Sequence, residues 1–253
     1  MRTVNMCHVG LQLYTVRDLC GENFEQTLRD VASLGYTTVE FAGLGEHSAE
    51  EVKCYLAATG LSAVSSHISI ETIRREFPTV VRTAQTLGCK YITVPGPPVG
   101  IGKTAGEWRF FREELRFYAG QFAAAGLELC YHNHAREFDV LDEGVTPFAI
   151  LFENAEPYFP QIDVYWAAFA GLKPDELILQ CAGRCPMIHV KDMAHDSSRS
   201  DEIVGKGCLP WDKIVSAARH AGVRYYIVEQ DKPRGSSLEA AATSLKNLKQ
   251  FLG

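Results

Sequence analysis

Short runs of β-branched and aromatic residues alternate with amphipathic segments eight times along this chain. That repeat constrains the fold more than any other feature. The runs are VGLQLY (9–14), TTVEFA (37–42), SAVSSHI (62–68), YITVPG (91–96), LELCYHN (127–133), QIDVYW (161–166), MIHVKD (187–192) and YYIVEQ (225–230). Each is short and apolar, as a parallel strand buried on both faces must be. The segments between them carry a helical period. Phe24, Leu28, Val31 and Leu34 share one face of a segment that runs from Asn23 and stops at Gly35. Ser48-x-x-Glu51 is a capping box that opens a helix ending at Gly60. Further helices are predicted over 70–87, 105–125, 146–156, 173–182, 210–221 and 237–252. Gly88, Gly126 and Gly222 follow three of them, where a left-handed cap is wanted. Eight β-then-α units without a long linker predict an α/β fold, a closed (β/α)8 TIM barrel, as one domain over residues 1–253. A doubly wound open sheet is the alternative.

In such a barrel the chemistry sits at the carboxyl ends of the strands, and the unusual polar residues fall there. The fifth run ends in Tyr131-His132-Asn133-His134, and the sixth carries Asp163. The seventh ends in His189-Val190-Lys191-Asp192, the eighth in Glu229-Gln230-Asp231. Gln12, Glu40 and His67 come from the earlier runs and are candidate substrate contacts. His132, Asp163, His189 and Glu229 lie on four consecutive strands at similar depth. Two imidazoles and two carboxylates make a mixed nitrogen and oxygen set for one divalent metal ion. Such a set suits Mn²⁺, Zn²⁺, Co²⁺, Mg²⁺ or Fe²⁺ over Ca²⁺, with Mn²⁺ or Zn²⁺ preferred. A metal on adjacent oxygens of a hydroxy-ketone acidifies the C–H between them. His132 and His134 alternate onto the same strand face, so either can be the ligand. The deeper His132 is preferred, and His134 then meets substrate. Lys191 shares a face with His189 and also reaches toward substrate. Glu229, His134 and Lys191 are thus the candidate catalytic residues.

Charge narrows the partners. A net charge of −6 with no extended basic run argues against nucleic acid, which needs clustered Lys and Arg. No run approaches the roughly 20 apolar residues of a membrane span, and the first residues do not have the pattern of a signal peptide. The eight cysteines are scattered without a C-x-x-C pair, which points to reduced thiols and a cytoplasmic location.

At these residues the chain resembles the sugar phosphate isomerase/epimerase superfamily, the xylose isomerase-like barrels. The resemblance runs through LQLYTVRD, GYTTVEFAG, YHNHAREF, HVKD, the G-x-G-x-x-x-W element from Gly205 to Trp211, and VEQD. It implies a metal held by Glu, Asp, His and Glu from strands five to eight, with the two glutamates moving the proton. Asp163, His189 and Glu229 match the last three positions. The first position is His132, a departure that removes one member of the glutamate pair. A Tyr-His motif here is similar to inosose dehydratase-like and keto-glycoside lyase-like members, which lose a β-leaving group after deprotonation. The resemblance also makes Glu40 a substrate-binding acid, with a structural carboxylate beneath the barrel mouth as the equal alternative. Trp211 is expected to pack its loop against the last helix or to stack on substrate.

Gly96 to Thr104 imitates a nucleotide-binding loop. The first glycine is one residue out of register, however, and Pro97 and Pro98 remove N–H groups that would cradle phosphate. A loop closing over the mouth, with Lys103 toward an anionic group, is the preferred reading. The function classes are therefore an isomerase or epimerase of a keto-sugar or its phosphate, and a dehydratase or lyase on a keto-sugar or cyclitol. Apurinic endonuclease activity is a remote third, and a non-enzymatic barrel would make the four-residue set an accident. The expected partner is a small carbohydrate or cyclitol. Both monomer and homo-oligomer stay open.

Overall fold

The computed structural model describes residues 7–154 and 156–253. Among these residues, eight parallel strands close into a barrel. They are β1 (His8–Gln12), β2 (Thr38–Phe41), β3 (Ser62–His67), β4 (Tyr91–Val94), β5 (Glu128–His132), β6 (Phe159–Asp163), β7 (Met187–Val190) and β8 (Tyr225–Val228). Each strand pairs with the next in sequence and β8 pairs with β1. Closure leaves no free sheet edge to protect. Helices cover the outside, and no helix among the described residues is long and apolar enough to cross a membrane. All eight cysteines are free thiols.

The strand pattern divides the core in two. Outward residues such as Val39, Leu129, Ile162, Ile188 and Val228 pack under the helices in the large apolar cluster. Val64, Tyr91, Cys130, Met187 and Ile227 form a second cluster inside the barrel, an apolar floor beneath the mouth. Gly10 is required there: a Cβ would lie 2.8 Å from Ile227 Cδ1 and 3.2 Å from the Thr38 carbonyl oxygen. The helix caps follow the sequence. Ser48 makes its capping box with Glu51, and Gly60, Gly88 and Gly222 take left-handed caps.

Several elements differ from expectation. The sixth run stops being a strand at Asp163, and Val164–Phe169 form a helix instead. These residues have strand-like side chains, but the Asp163 side chain accepts from Trp166 N at 2.9 Å and starts a helical turn. The helices expected over 146–156 and 173–182 are shorter, Pro147–Phe152 and Pro174–Gln180, each opened by its proline. Asp192–Met193 and Asp201–Glu202 add a small antiparallel ribbon at the barrel mouth.

Candidate active site

Strand register sets the depth of the site. Asp163 on β6 stands level with His189 on β7, and His132 on β5 stands level with Gln161, one inward position below Asp163. Glu229 follows the last residue of β8. The ligating atoms of His132, Asp163, His189 and Glu229 all lie within 4.8 Å of one another, and all four residues are buried. His67, His132 and His189 form a second close trio.

A polar layer holds these side chains from below. Gln12 and Gln161 donate to the two oxygens of Glu40 at 2.8 and 2.7 Å. His189 bonds Glu40 through Nε2 at 2.6 Å and Glu229 through Nδ1 at 2.9 Å. Gln161 Oε1 bonds His67 Nε2 at 2.9 Å and His132 Nδ1 at 3.1 Å. His132 therefore keeps Nε2 free toward Asp163, whose Oδ2 is 4.0 Å away. The YHNHAREF block is braced locally. Glu137 accepts from Tyr131 Oη at 2.8 Å and from the His134 backbone N–H at 2.7 Å. Asn133 Oδ1 accepts from Asp163 N at 3.1 Å.

Two features suit a divalent ion. Asp163 spends Oδ1 on the helix cap, while its buried Oδ2 has no hydrogen-bond partner. The Lys191 ammonium stands 3.3 Å from that oxygen, so the position already draws a cation. His132 also meets the requirement that a ligating imidazole be neutral: burial, then repulsion from His189, His134 and His67, holds its pKa well below the ordinary value. Residues in this arrangement could hold one divalent ion. Glu40 would then be the carboxylate that orients His189 toward the ion.

The electrostatics assign protons. Burial works to raise the Glu229 pKa, but Lys191 and His189 outweigh it and hold the carboxylate well below the usual range. Burial also opposes the charge on Glu40, and His67 and His189 likewise override it. The same two glutamates push His189 up to about 10 against the effect of burial. Burial lowers His134 to about 4, with Lys191 adding to the shift. Burial raises Asp163 to about 6, although Lys191 pulls the other way. Lys191 is fully buried. Its ammonium lies 2.8 Å from Asp231, 2.9 Å from Glu229 and 3.3 Å from Asp163, and these carboxylates keep it charged despite burial.

Above the cluster opens a cavity of about 750 Å³. His67, His132, His134 and Glu229 reach its wall, beside Tyr14, Tyr165, Trp166 and Asp231. Asp163 and His189 lie beneath them. Gln12 and Glu40, expected as substrate contacts, are wholly buried in the polar layer and do not line the cavity. Their position serves the histidines instead. Lys103 lines a separate depression with Trp108 and Arg136, so it does not face this mouth; Pro95 does. Trp211 packs near Phe251 of the last helix, ring centroids 6.4 Å apart, and donates to Asp192 at 2.6 Å. Sequence reasoning missed Gln161, which joins His67 and His132 to Glu40, and gave no role to Asp231, the counter-charge of Lys191.

Closed parallel strands with the reactive side chains gathered at their carboxyl ends define a TIM-barrel protein of the enzyme-bearing kind. The chain belongs to the xylose isomerase-like TIM barrel family, whose profile matches residues 28–251. Enzymes of this family include isomerases, epimerases and dehydratases. An inosose dehydratase of Geobacillus kaustophilus (strain HTA426) is 26% identical over 196 residues, covering 68% of this chain and 63% of that protein. The alignment thus spans under two thirds of that relative. A sugar phosphate isomerase/epimerase from Parabacteroides distasonis ATCC 8503 shares the fold with a TM-score of 0.83 at 20% identity, over 100% of this chain and 98% of the other. An L-ribulose 3-epimerase superposes with a TM-score of 0.74 at 14% identity, over 98% and 96%.

Proposed function

We propose that this protein is a divalent-metal-dependent enzyme that withdraws the proton next to the carbonyl of a keto-sugar or cyclitol. The observation that carries this reading is the buried set His132, Asp163, His189 and Glu229 beneath an open cavity. A divalent ion held by these four would polarise the carbonyl and stabilise the negative charge that deprotonation leaves. Glu229 is the carboxylate that both belongs to this set and reaches the cavity wall, and it is held ionised. It is the base. His134, neutral above about pH 4, orients a substrate hydroxyl from the wall. Lys191 keeps its proton and stands 2.9 Å from Glu229.

A specific observation favours elimination over epimerisation. Epimerisation needs acid and base groups on both faces of the carbanion. The second glutamate position is His132, held neutral, and Glu40 is buried below with both oxygens bonded. In elimination Glu229 takes the C–H proton, the β C–O bond breaks with its electron pair on oxygen, and Glu229 hands that proton on to the departing oxygen, while the buried Lys191 ammonium beside it favours the return of the carboxylate to its ionised form.

Incubating Mn²⁺-loaded protein in D₂O with keto-inositol, 3-keto-glycosides and simple ketoses separates the readings. An unsaturated ketone with loss of water or aglycone is expected. Deuterium next to the carbonyl without such loss would assign isomerisation. Glu229→Gln should lose both while retaining most bound metal. No reaction and no exchange with any of these compounds would overturn the proposal.

A further inference from the structure

Both carboxylates of the proposed metal set, Asp163 and Glu229, are already partners of a cation from the chain itself. Lys191 Nζ lies 3.3 Å from Asp163 Oδ2 and 2.9 Å from Glu229 Oε2, and its side chain is fully buried. An ammonium offers three donors and no acceptor. The third direction is taken by Asp231 Oδ2 at 2.8 Å. Asp231 is not one of the four clustered residues, and its side chain is 30% exposed toward the cavity. The rings of Tyr165 and Trp166 stand 5.6 and 5.5 Å from Nζ. A cation is stabilised over such faces.

A divalent ion and an ammonium cannot both sit against the same two carboxylates, because like charges at this spacing in a buried site are barely screened. We infer that Lys191 sets how tightly the site holds its metal: its ammonium competes for Asp163 and Glu229, and withdraws onto Asp231 and the aromatic faces when the ion binds. This inference rests on the metal reading above. Lys191 thereby keeps the two carboxylates compensated and in register before loading. Asp231 decides how readily the ammonium gives way, since it alone of the three acids stays with Lys191.

The test is Mn²⁺ binding to the full-length protein by equilibrium dialysis, independent of turnover. Lys191→Met should tighten binding at least tenfold and lower the melting temperature of the chelator-treated protein. Asp231→Asn should weaken binding at least tenfold, because the ammonium is then left on Asp163 and Glu229. In the Lys191→Met background the Asp231→Asn change should alter the Kd less than threefold, the signature of coupled residues. Unchanged or weaker binding by Lys191→Met overturns the inference. So does an equal loss from Asp231→Asn with and without the lysine, which would make Asp231 act on the ion directly. A wild-type protein that binds no Mn²⁺ overturns the metal reading as well. A wild type that binds, with a Lys191→Met variant that does not tighten, overturns this inference alone.

Discussion

Gln161 shows how much a neutral side chain can decide. Its carbonyl oxygen faces His67 and His132, and its amide nitrogen donates to Glu40, so one residue fixes two imidazole rings and one carboxylate. The bond to His132 Nδ1 leaves Nε2 free, which is the tautomer the proposed metal site requires. Gln161→Leu keeps the volume but leaves Glu40 and two histidines short of partners. Mn²⁺ affinity should fall about 10–100-fold, the usual effect of losing a group that orients a ligand. Calorimetric titration of the variant checks this, and an unchanged Kd would mean that His132 is oriented by packing alone. Nothing in the sequence singled out Gln161. An amide carries no ligand signature, and its partners lie 29, 94 and 121 residues away. His132, Asp163, His189 and Glu229 were legible because strand ends in a barrel converge and their chemistry is distinctive. Which side chains lie below them was not legible, since depth depends on register across neighbouring strands.

At the scale of elements, the HVKD strand end and the G-x-G-x-x-x-W segment form one unit. Asp192 accepts from the backbone N–H groups of Met193, Gly205, Gly207 and Leu209 and from the Trp211 indole. Gly207 must be glycine, as a Cβ would lie 2.3 Å from both Asp192 Oδ1 and the Met193 carbonyl oxygen. Asp192→Ala strands several buried donors. It should cost about 3 kcal/mol or more, a melting-temperature drop of roughly 6–12 °C for a chain of this size. Thermal melts measure it, and a drop under about 2 °C would mean that water replaces the carboxylate. All eight strands were readable from sequence because burial on both faces leaves continuous apolar runs. Val164, Tyr165 and Trp166 misled for the same reason. Their intrinsic preference is for strand, and the Asp163 cap overrides it. Pro147 and Pro174 marked where two helices begin, but the periodic pattern overstated where they end.

For the whole molecule, the proton on His189 links stability to pH. Its folded pKa of about 10 lies above the ordinary 6.5 because Glu229 and Glu40 flank it. The folded state therefore binds this proton more tightly than the unfolded state. The stabilisation is complete below about pH 6.5 and is lost as pH rises toward 10, at no more than about 1.4 kcal/mol per pH unit. Buried thiols such as Cys89 and Cys130, also pushed up by burial, add to the loss only near pH 8.5 and above. His132 and His134, held neutral by burial, act in the opposite sense up to about pH 7.5, so chelator-treated protein should melt at progressively lower temperature from pH 7.5 to 8.5. Saturating Mn²⁺ should flatten that slope, since an ion on His189 takes the proton's place. A flat profile in chelator would show that His189 is neutral in the folded protein. The double use of Asp163 has a consequence for how such a barrel diverges. One oxygen anchors the short helix that carries Trp166 on the cavity wall, and the other faces the four-residue cluster. In the proposed metal site, swapping Asp163 for another ligand of the same charge, such as Glu, moves the wall along with the ion. A lineage built on this joint can exchange the residues that meet substrate one at a time, but it cannot trade that ligand without rebuilding the pocket around it.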